Sequence, residues 1–374
     1  MNGNVVVPPN KRMPTSTKIV LLLAAALQGT ADNVADPIEA VTASSKTVVV
    51  AKAINKMSPI YPHAALFRGK EAWVHVTYCI DESGETQNVS ILDSVGGPEF
   101  ERAAIDAVDE WEFEPALMDG NPSWQSRNDV YMNFAITNNP KGASNSFIRQ
   151  FKKLGKLIDE KKLDEADELF WHVHDTYDLS LYELSKLWVQ RVRFETLAGD
   201  MQKVDLALHR ATASDGKWIE RKSYINLLMI RVQVETIVGQ YQDAIDAFEE
   251  LTDVAGENSK EAKAAKPIIE KLTEMIASDQ VLRIEAKVIT NDQCTNCNSS
   301  WDFSPVRRVF ALNNISGELT SIEIRCDHRR FESKVSDDVQ WNIPDDYGSC
   351  RVTIFGDPGT TFDVLMPPSA ASAQ

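Results

Sequence analysis

Between Pro59 and Ile136 the chain runs through turn, strand and helix signals without a gap, and that order leaves room for little but a small α+β unit. From Trp73 to Ile80, Val74, Val76, Tyr78 and Ile80 alternate with His75, Thr77 and Cys79, the period of two expected of a half-buried strand. Asp81-Glu82-Ser83-Gly84 supplies turn chemistry, with Gly84 free to take positive φ, and the chain doubles back into Thr86–Asp93, where Val89 and Ile91 share a side. Pro98 stands where a first helical turn tolerates a missing N–H. Phe100, Ala104, Ala107, Val108 and Trp111 follow at helical spacing, an apolar stripe to lie across the sheet, and Pro115 ends the helical stretch. After the turn Asp119-Gly120-Asn121-Pro122, a third strand from Val130 to Ile136 places Val130, Met132, Phe134 and Ile136 inward and Tyr131, Asn133 and Ala135 outward. The expectation is three antiparallel strands with helices on one face, a two-layer α+β domain.

The ordered series Pro59-Ile60-Tyr61-Pro62, Ala64, Gly69, the alternating runs, the Asp81–Gly84 turn and Trp111-Glu112-Phe113-Glu114-Pro115-Ala116 resembles the C-terminal domain of TonB energy transducers, over residues 55–138. The resemblance implies a periplasmic binding module with no chemistry of its own, hence an interaction protein rather than an enzyme. The implied partner is a TonB-dependent outer-membrane receptor or another component of that transport system. The expected route is β-augmentation, in which an extended peptide pairs with an exposed edge through Val130, Tyr131, Met132, Asn133 and Phe134 while Tyr61 and Pro62 shape the neighbouring surface. The alternative is a structural scaffold in which the module serves only docking or homodimerisation. Two positions depart from the family pattern: Asp109-Glu110-Trp111-Glu112 is acidic where many relatives are basic, and Ile60 replaces a frequent polar residue.

At 374 residues and 43% apolar content, the chain has room for two or three globular domains. A net charge of −16 argues against a phosphate-binding surface, so nucleic acid is a poor partner. No Ser/His/Asp set, phosphate loop or carboxylate pair stands in a motif context, and neither catalysis, cofactor nor metal is expected. Lys11, Arg12 and Lys18 precede the apolar run Ile19–Leu27, and Gly29-Thr30-Ala31 offers a cleavage site before Asp32. Residues 1–31 therefore read as a secretory signal and 32–54 as a linker, with the periplasm as destination, or the inner membrane if the signal stays as an anchor. The apolar run is shorter than the roughly 20 residues of a spanning helix. The stretch from Leu27 to Pro59 reaches at most about 100 Å and is not Pro-rich, unlike the spacer of a transducer.

Residues 138–146 are a polar linker, after which the period turns helical over 147–278. Lys161-Lys-Leu163-Asp-Glu-Ala166, Gly199-Asp-Met201-Gln-Lys-Val204 and Gly239-Gln-Tyr241-Gln-Asp-Ala244 resemble one another and look like the turns of degenerate tetratricopeptide-type repeats, an all-α repeat domain that would offer a concave surface to a protein. A plain helical bundle that spaces its neighbours is the alternative. His172 and His174 invite a metal reading, but residues two apart on a helix diverge, which favours ordinary packing.

Over 281–368 short β-rich runs alternate with turns, at Arg283–Ile289, Arg307–Leu312, Leu319–Cys326, Cys350–Phe355 and Thr361–Leu365, suggesting a small all-β sandwich or barrel. Cys294, Cys297, Cys326 and Cys350 read as two disulfides with all three pairings open. A zinc site from Cys294, Cys297, Cys326 and His328 lacks the usual spacing in its second half and strands Cys350. A thiol redox site would need a helix after Cys297, where Asn-Ser-Ser stands instead. Cys79 reads as an unpaired thiol on a strand.

Overall fold

The computed structural model describes residues 47–136, 142–291, 294–335 and 339–368, and the backbone of 4–6. The signal and cleavage reading, and the linker up to residue 46, lie outside the described residues. The N-terminal module comprises Asn4–Val6 (β1), Val48–Val49 (β2), Lys52–Asn55 (β3), His63–Arg68 (α1), Ala72–Ile80 (β4), Thr86–Val95 (β5), Pro98–Asp109 (α2), Glu112–Glu114 (β6), Ala116–Met118 (β7), Asn121–Ser123 (β8) and Gln125–Ala135 (β9). Its main sheet is antiparallel in the order β1-β9-β4-β5. Val74, Val76, Tyr78 and Ile80 of β4 share one core with Met132 and Phe134 of β9 and with Phe100, Ala104 and Val108 of α2. Burying each such large apolar side chain contributes about 1.5–3 kcal/mol. The Asp81 turn is closed by its own carboxylate, whose Oδ1 accepts from the Ser83 and Glu85 amides at 2.9 and 3.0 Å, and Gly84 takes φ 89°.

Three expectations need correction. The third strand begins at Gln125 rather than Val130, because Asn128 satisfies its polar side chain internally, donating to the carbonyls of Tyr78 (3.2 Å) and Gln125 (2.8 Å). Helix α2 stops at Asp109, short of Trp111 and Pro115, since Glu112–Glu114 pairs instead with Lys52–Asn55. His75, Thr77 and Cys79, expected on an outer face, are buried, because the rest of the chain covers that face. Arg325 of the C-terminal region, for example, approaches Cys79 Sγ at 3.9 Å and donates to the Asn88 carbonyl at 3.0 Å.

The helical region holds Asn145–Asp159 (α3), Leu163–Thr176 (α4), Leu181–Ala198 (α5), Met201–Ala211 (α6), Arg221–Val238 (α7), Tyr241–Ala255 (α8) and Lys260–Ala277 (α9). The three similar segments form the turns α3/α4, α5/α6 and α7/α8. Gly199 and Gly239 occupy the left-handed region at φ 84° and 85°, and Lys161 takes the same turn position at φ 56°. Ser180 and Glu183 cap α5 reciprocally, and Ser144, Asp200 and Ser259 cap α3, α6 and α9.

Leu282–Lys287 (β10), Ser300–Phe303 (β11), Val309–Ser316 (β12), Leu319–Cys326 (β13), Arg330–Lys334 (β14), Gln340–Asn342 (β15), Cys350–Gly356 (β16) and Thr361–Met366 (β17) form two four-stranded sheets, β10-β17-β12-β15 and β11-β16-β13-β14. Both contribute to one core around Phe310, Ile322, Ile354 and Phe362. Strands β11, β14 and β15 escaped the sequence reading because they are short. Arg307 ties this region to the helices, donating to the carbonyls of Ile276 (3.0 Å), Ser278 (2.7 Å) and Met366 (2.9 Å) and thereby satisfying orphan groups at the end of α9.

Candidate partner-binding edge and interdomain cavity

Tyr61 fixes the entrance to the N-terminal module. Its hydroxyl donates to the Lys70 carbonyl at 2.7 Å, with the Phe134 carbonyl 3.4 Å away, and its ring packs edge-on to Phe100 and Phe134 at 5.8 Å. Pro62 opens α1 at φ −61°. The segment around Tyr61 is thus held beside the last residues of β9, while Ile60 and Phe67 expose 80% and 89% of their surface.

Val130, Met132 and Phe134 point into the core. Tyr131 and Asn133, expected to face a partner, instead seal an internal contact. Tyr131 stacks on His75 at 4.0 Å, and Asn133 Oδ1 accepts from Ser214 Oγ (2.6 Å) and Trp218 Nε1 (3.2 Å) of the α6–α7 connection. A buried amide with two such partners serves internal packing, not selectivity towards a guest. The outer border of β9 is also occupied at both ends: β1 pairs with it in the register Asn4↔Ala135, Val5↔Phe134, Val6↔Asn133, and the Ser126 amide donates to the Asp327 carbonyl at 3.0 Å.

The family model described as Gram-negative bacterial TonB protein C-terminal matches residues 57–136. These residues are a TonB C-terminal domain. A stretch of 51 residues is 47% identical to Protein TonB of Yersinia enterocolitica, covering 14% of this chain and 20% of that protein, so the chain spans about a fifth of the length of this curated relative. Among solved structures, the TonB2 protein from Vibrio anguillarum is 26% identical with a TM-score of 0.21, covering 30% of this chain and 98% of the other. The solution structure of the Pseudomonas aeruginosa TonB C-terminal domain is 27% identical with a TM-score of 0.20, covering 24% and 88%.

The TonB domain receives a loop from the C-terminal region. The four predicted cysteines lie at disulfide distance as Cys294–Cys297 and Cys326–Cys350, the second joining register partners of β13 and β16. This pairing uses the sulfurs that the zinc alternative required. Cys79 is a buried free thiol. Between Cys294 and Cys297, the amides of Thr295 and Asn296 donate to the buried Glu101 carboxylate of α2 at 3.0 and 3.1 Å, and Cys294 joins the TonB-domain core. Nothing in the spacing of Glu101 announced this role.

A cavity of about 270 Å³ lies where the TonB domain, the helices and the β-region meet. On the TonB side His75 Nε2 and Asp129 Oδ2 are 2.9 Å apart. Burial alone would raise the Asp129 carboxyl, but the His75 hydrogen bond and charge, with Arg351 and Arg127 beyond, hold it well below the usual carboxylate range. A carboxyl depressed on folding stabilises the protein fully above its unfolded pKa of about 3.9, and that contribution is lost as pH falls through the lower folded value. Asp129→Asn should therefore flatten the loss of thermal stability on acidification below about pH 4, and melting curves across that range would check it.

On the helical side, Asp205 and His209 stand one turn apart on α6 opposite Glu235 of α7. His209 Nε2 is 3.7 Å from Asp205 Oδ1 and 3.3 Å from Glu235 Oε1. Burial, with the charges of Glu235 and Asp243, pushes Asp205 up to about 7 against the opposing pull of His209 and Arg231. The Asp-x-x-x-His spacing of Asp205 and His209 on one helical face is the sequence signal for this group. Among the described residues, no helix is long and apolar enough to cross a membrane.

Proposed function

We propose that this chain is an envelope protein of outer-membrane transport whose TonB domain binds an extended segment of a protein partner, such as a TonB-dependent receptor, by adding it as a strand along the C-terminal end of β9. The observation carrying this reading is the pairing of β9 with Asn4–Val6, which supports a border able to take a three-residue antiparallel guest. Exposed Ile60 and Phe67 offer further apolar surface on the segment that carries Tyr61. Each backbone hydrogen bond contributes about 0.5–1.5 kcal/mol, so capture rests on apolar contacts as well.

Residues 4–6 and an arriving segment compete for the same register. Removal of residues 1–31 as a signal would open the border in the periplasm. The test is anisotropy of a labelled synthetic peptide from the periplasmic extension of a TonB-dependent receptor. The chain beginning at Asp32 should bind it at least tenfold more tightly than the full chain; equal, negligible binding by both would exclude this edge.

A second reading, a tetratricopeptide-like scaffold without energy transduction, is favoured by Leu197 and Ile237. They occupy equivalent positions two residues before Gly199 and Gly239 and remain 47% and 68% exposed. Replacing both with glutamate leaves the TonB border intact. Loss of receptor capture by that variant would favour the scaffold.

A further inference from the structure

We propose that Asp205, His209 and Glu235 form a binding site for a divalent transition-metal cation, Zn²⁺ foremost, between helices α6 and α7. The three candidate ligand atoms lie within 4.8 Å of one another. A zinc ion holds nitrogen and carboxylate oxygen at about 2.0–2.2 Å in a tetrahedron, which sets ligand atoms roughly 3.3 Å apart. The separations of 3.3 and 3.7 Å about His209 Nε2 need only a few tenths of an ångström of adjustment. Asp205 and His209 are held on one face by their spacing of four along α6.

Buried polar atoms without partners point to the same conclusion. Glu235 is fully buried, yet its Oε2 has no hydrogen-bond partner, and neither has Asp205 Oδ1. Gln240, 9% exposed, leaves Oε1 equally unpartnered while lining the cavity that Asp205 and His209 also line. Such atoms are rare in folded proteins, because each forfeits its hydration without compensation. Charge argues the same way. Asp205 and Glu235 share the fixed cation Arg231, whose Nε donates to Glu235 Oε1 at 2.8 Å, and the neighbouring Asp243 adds a third carboxylate, against which Arg351 is set besides. The set of one imidazole and two carboxylates suits zinc better than calcium or magnesium, which favour all-oxygen shells.

The test is calorimetric titration of the intact, disulfide-bonded chain with ZnCl₂ at pH 7.5, alongside Asp205→Asn and His209→Ala. One ion per chain is expected, with at least tenfold weaker binding in each variant and a rise in melting temperature on zinc addition that the variants lack. Asp205→Asn keeps the side-chain shape and removes no hydrogen bond at Oδ1, so it decides the matter should His209→Ala fail to fold. Absence of stoichiometric binding, or binding unchanged in folded Asp205→Asn, would overturn the site.

Discussion

Replacing Asp93 with alanine should cost about 3–5 kcal/mol, because it strands a guanidinium that has left water. Arg210, on α6, is only 3% exposed and meets the Asp93 carboxylate at the end of β5 through two hydrogen bonds, Nε to Oδ2 at 3.0 Å and Nη2 to Oδ1 at 2.9 Å. Its plane lies over Trp188 at 4.6 Å, and Asn291, between β10 and β11, donates to the same carboxylate at 2.8 Å and accepts from Arg210 Nη2 at 2.5 Å. This ion pair and its hydrogen bonds to Asn291 thus join all three parts of the chain. Adding Arg210→Met to Asp93→Ala should recover much of the loss, since the unpaired charge disappears. Urea denaturation of the single and double variants measures both effects; a single-variant loss below about 1 kcal/mol would show that Arg210 finds water or another acceptor.

Trp111→Ala is expected to be comparably damaging, about 3–5 kcal/mol, by the cavity it opens. The indole is almost fully buried, packs edge-on to Tyr78 at 5.5 Å and donates from Nε1 to the Met57 carbonyl at 2.8 Å. It therefore also anchors the segment leading to Tyr61, and the truncation should loosen both the core and the entrance beside β9. Hydrogen exchange would register the second effect as faster exchange around residues 57–62, with Trp111→Phe retaining most of the packing but not the hydrogen bond. Unchanged exchange there in Trp111→Ala would mean that Tyr61 alone fixes the entrance.

What could be read in advance was whatever depends on neighbours along the chain. Alternation at Val74, Val76, Tyr78 and Ile80 named the core face, because a strand's period is local. The helix-to-helix turns at Gly199 and Gly239 were legible for the same reason. Failures arose where distant segments intervened. Glu112–Glu114 became a strand because Lys52–Asn55 reached it, and His75, Thr77 and Cys79 lost their solvent because the later regions fold over them. Tyr131 and Asn133 were assigned to a guest since alternation tells the two faces apart but not what covers each. The Cys326–Cys350 pair required a cross-strand register that no spacing supplies.

The four-residue ring closed by Cys294 and Cys297 bears on where this molecule can work. Its two enclosed amides both rest on Glu101, so a bond that only oxidising surroundings preserve helps hold the final third of the chain against the first. A copy kept in reducing surroundings would keep its helices and sheets but lose part of the clasp between them. Correct assembly is thereby coupled to an oxidising environment, and the same polypeptide would be a looser object in a reducing one.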